Sequence, residues 1–267
     1  MGANPVDRVL GLSITSTAVR LVLVEGATGE GDTVDHDVID IAAVHAAADA
    51  ELLLETLLGN RVIAACRDAR PHSIGLTWTA GAAADGMGLL RALAAAGFED
   101  FLAVSEWDAA EALAAGIAGL AGCDDAGVCI VEPNAAVVAV VDERGTRVDR
   151  IDREGPGRDA AELVSALLPT LGHPEVIFVF GSAGDLDVVL SLLRSSTSLP
   201  VVSAAEADLA LARGAALAAA RALSGWEVQA PTHPTPVVHP VEPESVARVG
   251  ISEVLGSGRG KAGALTS

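Results

Sequence analysis

The stretch that decides the fold is VLGLSITSTAVRLVLV, residues 9–24, in which two apolar runs flank a turn rich in hydroxyl groups. Runs of Val, Leu and Ile on both sides of a short polar segment are typical of a β-hairpin. The turn carries Ser13, Thr15, Ser16 and Thr17, and hydroxyl side chains favour turns because they bond nearby backbone groups. The sequence therefore predicts a strand, a tight turn and a second strand near the start of the chain.

Two blocks of predicted elements follow the same order. The first block continues from the hairpin with a strand over 34–41, a helix over 46–68, a strand over 73–79 and a loop over 81–86. A helix over 87–96, a strand over 101–106 and a helix to Leu120 complete this block. Gly97 ends the first of these two helices, and Asp108 caps the start of the second. After a break at 122–127, the second block has strands over 128–132, 135–142 and 146–151, a helix over 159–171, a strand over 176–180, a helix over 185–195, a strand over 201–202 and a helix over 204–223. Such a duplication predicts two similarly built lobes that face each other across a cleft.

The predicted domains follow these blocks. We expect lobe I over residues 1–121, lobe II over 122–224 and a flexible tail over 225–267, where the composition changes to Pro, His, Glu and Gly. Residues 246–255 are weakly amphipathic, which fits either a solvated tail or a segment that docks on a partner.

Composition excludes several classes of partner. The chain has 36 acidic and 17 basic residues and a formal net charge of −19, so phosphate backbones and anionic lipids would be repelled. Aromatic residues make up only 3 %, with no Tyr, which leaves few surfaces on which bases or sugars stack. No apolar run is long enough to span a bilayer, and residues 1–8 lack the pattern of a secretory signal. We therefore expect a cytoplasmic protein with no integral membrane segment and no nucleic-acid partner.

Common site motifs do not occur in the chain. There is no phosphate loop of the Gly-x-x-x-x-Gly-Lys type, no His-Glu-x-x-His and no Gly-x-Ser-x-Gly. The three cysteines, Cys66, Cys123 and Cys129, have no metal-ligand spacing, so we predict buried thiols. Asp185 and Asp187 stand at a predicted helix start and are interpreted as caps.

The duplicated order resembles the actin-like (ribonuclease H-like) ATPase superfamily, and within it the nucleotide-binding domain of DnaK-type chaperones. The resemblance covers residues 9–223 and rests on six segments in order: 11–24 as the first phosphate hairpin, 104–116 as the first interlobe helix, 131–137 as the second phosphate hairpin, 155–159 as the turn before the next helix, 178–184 as the adenosine loop and 208–216 as the second interlobe helix. The opening segment is also similar to that of a group of actinobacterial proteins of unassigned function. The resemblance implies a duplicated α/β fold with two lobes, each a mixed sheet flanked by helices.

The same comparison reveals departures at both phosphate hairpins. Ser13 aligns with the family's metal-organising Asp, and Thr15 aligns with a glycine that lets the backbone touch phosphate. In the second hairpin, the family's Asp-x-Gly-Gly-Gly-Thr becomes EPNAAV over residues 132–137, which has no glycine, and Pro133 has no amide to donate. The segments after the first hairpin and after Gly157 are too short for the subdomains that DnaK-type chaperones insert there.

Other features of a nucleotide cleft are retained. Glu106 aligns with a family carboxylate, and Glu132 keeps a negative charge where Asp is usual. The residues that the resemblance places in a degenerate nucleotide cleft are Ser13, Thr15, Ser16, Thr17, Glu106, Glu132, Asn134, Gly181, Ser182 and Gly184. No catalytic residue and no metal ligand is assigned.

These observations favour a non-catalytic DnaK-like or actin-like domain, a pseudo-ATPase without a cofactor that acts through a protein partner or self-association. One alternative is a weak ATP- and Mg²⁺-binding switch, or slow ATPase, in which Glu106 and Glu132 hold the metal ion. A sugar-kinase-like phosphotransferase would need a catalytic Asp for which the sequence offers no clear candidate. The shape of the two hairpins distinguishes the non-catalytic domain from the nucleotide-binding switch. Open turns with amides aimed into the cleft would favour the switch, and side chains that fill the cleft would favour the non-catalytic domain.

Overall fold

Two five-stranded mixed sheets organise the chain in a computed structural model that describes residues 7–41, 55–57, 59–69, 71–95, 101–153, 160–204 and 206–223. The strands are β1 (Arg8–Ile14), β2 (Ala18–Glu25), β3 (Thr33–Asp40), β4 (Ser73–Trp78), β5 (Phe101–Ala103), β6 (Ala126–Val131), β7 (Ala135–Asp142), β8 (Gly145–Asp152), β9 (Val176–Phe180) and β10 (Val201–Val202). The helices are α1 (Arg61–Ala69), α2 (Ala83–Ala95), α3 (Glu106–Ala121), α4 (Ala160–Leu171), α5 (Leu186–Ser196) and α6 (Ala210–Leu223).

The two sheets have the same topology. Sheet I has the strand order β3-β2-β1-β4-β5, and sheet II has the order β8-β7-β6-β9-β10. In each, the first three strands form an antiparallel meander and the last two add in parallel. The predicted duplication and both predicted hairpins are therefore confirmed.

The middle strands are buried because helices cover both faces of each sheet. One face of sheet I packs on α1 and α2 and its other face on α6, while sheet II lies between α3 on one side and α4 and α5 on the other. β6 accordingly has a continuous apolar sequence and β1 has one interrupted by Ser13, whereas the edge strand β3 alternates between half-buried and exposed residues.

The last helix of each block packs on the sheet of the other block. α3 follows the strands of sheet I but lies on β6, β7 and β8, and α6 follows the strands of sheet II but lies on β1, β2 and β4. The two helices also pack on each other, where a side chain at Gly214 of α6 would overlap the carbonyl group of Ala109 in α3. Gly11 and Gly75 allow a similarly close approach of α6 to sheet I. Both sheets are thus joined by this helix pair.

Three helix starts differ from the predictions. The predicted loop over 81–86 is helical, since a 3-10 turn over Ala80–Ala82 leads directly into α2. Gly86 there serves close packing, because a side chain at this position would overlap the ring of Trp78. A second 3-10 turn, over Ala207–Leu209, delays the start of α6 from the predicted residue 204 to Ala210.

The start of α3 is capped by Ser105 rather than by Asp108. The amide of Asp108 donates to Ser105 Oγ at 3.0 Å, and the Ser105 hydroxyl donates to Asp108 Oδ2 at 2.7 Å. This reciprocal arrangement shortens the predicted strand over 101–106 to β5 and makes Glu106 the first residue of the helix.

The predicted helix over 46–68 is interrupted in its described part. Residues 55–57 are helical, but a break at Gly59 and Asn60 follows, and Asn60 Oδ1 accepts the amide of Val62 at 2.9 Å at the start of α1. Residues 46–54, Gly97, the turn over 155–159 and the tail over 225–267 lie outside the described residues.

The thiols agree with the prediction in part. Cys66 and Cys129 are buried, and burial raises the pKa of each thiol to about 12, while Cys123 is partly exposed. Among the described residues, none of the helices has the length and apolar character needed to cross a bilayer.

Candidate functional site

The turn between β1 and β2 is closed by the side chain of Thr15. This residue is 1 % exposed, and its Oγ1 accepts the amides of Thr17 at 3.4 Å and Ala18 at 3.2 Å. The amide of Thr15 itself donates to the carbonyl group of Ala18 at 3.0 Å. The amides of Thr15, Thr17 and Ala18 therefore bond within the turn, as in other turns stabilised by a hydroxyl.

The turn between β6 and β7 meets this first turn directly. The amide of Glu132 donates to the carbonyl group of Ala135 at 2.8 Å, and the exposed Asn134 donates through Nδ2 to Ser16 Oγ at 3.2 Å. Gly81, in the 3-10 turn after β4, lies beside the same asparagine amide. We call the region bounded by the two turns, the start of α3 and residues 181–184 the cleft.

Glu132 is buried at the floor of the cleft. It is 2 % exposed, and the Ser182 hydroxyl donates to its Oε2. Burial raises the pKa of the Glu132 carboxyl group to about 7, against the lowering effects of the Ser182 hydrogen bond and Arg20, while Glu106 and Asp208 raise it further. Glu132 and Ser182, which the sequence comparison assigned to one cleft, are thus in direct contact.

Arg20 is a cation of the cleft that sequence reasoning missed. It lies on β2 directly across from Ser13 of β1, and its Nη1 donates to Thr15 Oγ1 at 3.3 Å. Its Nε pairs with Asp208 at 3.4 Å, although that carboxylate is 45 % exposed. The available signal was a single arginine inside the apolar run AVRLVLVE of β2.

Glu106 is held by a second arginine. Arg150 of β8 donates through Nη1 to Glu106 Oε2 at 2.7 Å and through Nε to Asp152 at 2.8 Å. Burial raises the pKa of Glu106, Arg150 lowers it, and Asp152 raises it. Glu106 Oε1 is buried and has no hydrogen-bond partner among the described residues.

A third arginine supports the second turn from below. Arg153 is buried, donates through Nη1 to the carbonyl oxygen of Glu132 at 3.1 Å and forms an ion pair with Asp185. Its backbone amide donates to the carbonyl group of Asn134 at 2.8 Å. Asp185 was interpreted as a helix cap, but its side chain caps nothing at the start of α5 because it binds Arg153.

The loop that resembles an adenosine loop packs closely on sheet II. Gly181 has φ +126°, and a side chain there would overlap the backbone of Val131. The amide of Gly181 donates to Ala207 and that of Ala183 donates to Val131. Gly184 is exposed, with open space where a side chain would stand. The structure therefore brings Thr15, Ser16, Glu132, Asn134 and Ser182 together, whereas Gly184 lies at the rim.

Comparisons with known proteins agree with this architecture. A family model described as "Family of unknown function (DUF7159)" matches residues 7–230, and no curated protein matches the chain. Among solved structures, component A of (R)-2-hydroxyglutaryl-CoA dehydratase from Acidaminococcus fermentans has a TM-score of 0.53 at 13 % identity, with 82 % of this chain and 99 % of that chain covered.

Two further structures are similar over comparable lengths. The activator of 2-hydroxyisocaproyl-CoA dehydratase from Clostridium difficile, solved with bound ADPNP, has a TM-score of 0.51 at 13 % identity and covers 85 % of this chain and 100 % of its own. A ROK family glucokinase from Streptomyces griseus, in complex with glucose and AMPPNP, has a TM-score of 0.52 at 12 % identity, with 78 % and 98 % covered. These likenesses confirm the actin-like ATPase fold, while the kinship with DnaK-type chaperones stays a prediction.

Proposed function

The chain belongs to the family of unknown function DUF7159 and has the fold of actin-like ATPases, and from the contacts in its cleft we propose that it is a non-catalytic member of that fold class. In this proposal it is a pseudo-ATPase that acts by binding protein, either a second copy of itself or another chain. No cofactor takes part.

The observation that carries the proposal is the hydroxyl group of Thr15. Phosphate-binding turns present free backbone amides to the ligand. Here Thr15 Oγ1 accepts two of the amides of the first turn, and it also accepts Arg20 Nη1. An anion entering this turn would have to displace a buried side chain that already satisfies these donors.

The remaining residues of the cleft fit a magnesium–nucleotide complex poorly. A serine, Ser13, stands where the related fold has an acidic residue, and Arg20 brings a buried positive charge to the neighbouring position. Mg²⁺ prefers carboxylate oxygens, and a nearby guanidinium group repels this doubly charged ion about twice as strongly as a singly charged one.

The face of the edge strand β3 supports a role in protein binding. Val34 and Val38 of this strand are each 44 % exposed. The carboxylates of Asp35 and Asp37 accept the amides of His36 and Val38 at 2.9 Å, so these amides are not offered to a further strand. A partner would then contact the apolar side chains rather than extend the sheet.

One observation favours the second candidate, a weak nucleotide-responsive switch. Glu106 keeps one carboxylate oxygen without a partner among the described residues. Glu106 also lies close enough to Glu132 that its negative charge raises the pKa of the Glu132 carboxyl group. Two neighbouring carboxylates of this kind could share a divalent ion that arrives with a nucleotide.

Calorimetric titration with ATP and Mg²⁺ tests the proposal. We expect no saturable heat from the wild-type protein at millimolar nucleotide, and no change in Glu106→Ala. The double variant Ser13→Asp/Thr15→Gly frees the turn amides and adds a carboxylate, so it should bind nucleotide more tightly than the wild type. Micromolar binding by the wild type that Glu106→Ala abolishes would replace the proposal with the switch.

Sedimentation velocity tests the protein-binding part. We expect the wild-type chain to self-associate as its concentration rises, and Val38→Lys to weaken that association because it places a charge on the apolar face. The matched control Val188→Lys alters another exposed valine, on α5. A wild-type chain that stays monomeric at all concentrations would exclude self-association and leave a different protein as the partner.

A further inference from the structure

Four buried polar atoms near the cleft have no hydrogen-bond partner among the described residues. They are Ser13 Oγ, Thr77 Oγ1, Thr79 Oγ1 and Glu106 Oε1. Each belongs to a residue that is at most 6 % exposed. Because an unsatisfied buried polar group costs free energy, a set of four in one region indicates an occupant that binds oxygen atoms.

Strand register places three of these groups on one side of sheet I. Ser13 and Thr77 are paired neighbours on the parallel strands β1 and β4, so their side chains share a face. Their neighbours Ile14 and Trp78 pack on the opposite face with α1 and α2, so the two hydroxyl groups lie on the face of α6 and the cleft. Thr79 continues β4 in extended conformation, with its amide bonded to the carbonyl group of Ile14 at 2.9 Å.

The start of α3 brings the carboxylate to the same edge. The amide of Val104 donates to the carbonyl group of Leu76 at 2.8 Å, which continues the pairing of β5 with β4 up to the turn before the helix. Glu106 follows two residues later as the first residue of α3, beside the carboxyl end of β4. The three hydroxyl groups and the carboxylate oxygen therefore belong to neighbouring elements at this edge of sheet I.

The chemistry of these oxygen atoms favours a cation over a single water molecule. Glu106 and Glu132 are 6 % and 2 % exposed and interact with the guanidinium groups of Arg150 and Arg20, whereas the side chains of Asp152 and Asp208 are 74 % and 45 % exposed. Arg153 and Asp185 form a balanced pair beside them. A water molecule has only two hydrogens to donate, whereas a cation can bind the lone pairs of all four oxygen atoms at once.

We propose that Ser13, Thr77, Thr79 and Glu106 form a binding site for a monovalent alkali cation, sodium or potassium, that is occupied without nucleotide. Hard cations take oxygen ligands of this kind, and one carboxylate oxygen with three neutral hydroxyl groups matches a single positive charge better than a double one. The ion joins the ends of β1 and β4 to α3. This proposal is independent of the pseudo-ATPase assignment, since its tests contain no nucleotide.

Thermal unfolding in different chloride salts is the first test. The wild-type protein should unfold at a higher temperature in sodium or potassium chloride than in N-methylglucamine chloride of equal ionic strength. At an ion concentration ten times the Kd, the ratio of folded to unfolded protein rises about elevenfold. A midpoint that does not depend on the cation would overturn the proposal.

A matched pair of variants locates the ion. Thr77→Val keeps the shape of the side chain but removes the hydroxyl group, so the response to alkali cations should fall. Ser73→Ala removes another buried hydroxyl group without a partner in the described structure, on the same face of β4 but at its opposite end, and should keep the full response. Equal responses in the two variants would place any bound ion elsewhere.

Sodium NMR of the unmodified protein gives a readout that does not depend on a variant folding. The sodium line should broaden on addition of the protein and narrow again when potassium competes. A line width that the protein leaves unchanged at every concentration would contradict the proposed site.

Discussion

At the scale of single residues, Thr15 and Arg20 reshape the cleft together. The threonine hydroxyl accepts two backbone amides and the guanidinium group, and the arginine also pairs with Asp208. A buried arginine needs acceptors for its donors, and a neutral hydroxyl is a weaker acceptor than a carboxylate. Each residue therefore depends on the other, and a change at either one alters the turn that the related fold uses for phosphate.

Glu132 gives a prediction about pH. Its pKa is raised from 4.5 to about 7, so the folded state binds this proton more tightly than the unfolded chain. The contribution of the group to the free energy of unfolding is largest below about pH 4.5, falls as the pH rises and is fully lost above about pH 7. Glu132→Gln removes this slope, so the difference in the free energy of unfolding between the two proteins should change by about 3 kcal/mol across that window.

Urea unfolding of both proteins at a series of pH values measures this difference. Any slope of the same sign that remains in Glu132→Gln belongs in part to Glu106, whose pKa is raised by burial as well. Identical pH dependence in the two proteins would show that Glu132 does not titrate in the folded state as expected.

At the scale of elements, the duplication is visible in the edge strands. β3 ends in DVID, residues 37–40, and β8 ends in DRID, residues 149–152, at equivalent positions of the two sheets. In each strand the first Asp accepts the amide of the next residue, at 2.9 Å in β3 and 2.8 Å in β8. The one different residue, Val38 against Arg150, is exposed on β3 but binds Glu106 from β8. The two lobes have thus diverged at this position, which contacts the cleft in sheet II through Arg150.

The contact between α3 and α6 gives a prediction about stability. Gly214→Ala should lower the free energy of unfolding by about 2 to 3 kcal/mol, because the added methyl group would overlap the backbone of Ala109. Gly119→Ala, on α3, is the matched control. Nothing lies within 4 Å of its added methyl group, so it should raise stability by up to about 1 kcal/mol through helix propensity. Denaturant unfolding measures the free energy of unfolding of both variants. Equal changes in the two variants would contradict the close contact between α3 and α6.

At the scale of the whole molecule, the exchange of the last helices joins the two sheets. Because α3 covers sheet II and α6 covers sheet I, neither sheet keeps its apolar face buried if the other block unfolds. Ion pairs and hydrogen bonds across the blocks add to this, since Arg213 of α6 donates to Thr33 Oγ1 at 2.9 Å and to the carbonyl group of Gly31 at 2.6 Å.

We therefore predict a single cooperative unfolding transition for both sheets. Trp78 reports on sheet I and Trp107 reports on α3 over sheet II, so variants that keep only one of the chain's three tryptophans separate the two signals. The denaturant midpoints of the two variants, each compared with its own far-UV circular dichroism, should coincide. Two separate midpoints would mean that the sheets unfold independently.

The order of elements, both hairpins and the duplicated topology followed from residue patterns alone. Alternation, apolar runs and turn residues act between near neighbours, so the chain carries these signals locally. The same patterns misplaced the start of α2, because they interpreted Gly86 as part of a loop when it is needed for packing on Trp78.

The composition of the cleft was decided only in three dimensions. Glu132 and Ser182 were predicted because they stand in segments that resemble a known family, but Arg20, Arg150 and Arg153 were not, since their partners Asp208, Glu106 and Asp185 are distant in sequence. The sequence shows which residues are charged but not which of them form ion pairs, because the pairing of buried groups depends on which elements the fold brings together. The chain thus encodes its architecture in local periodicity, and long-range packing determines which charges occupy the centre of that architecture.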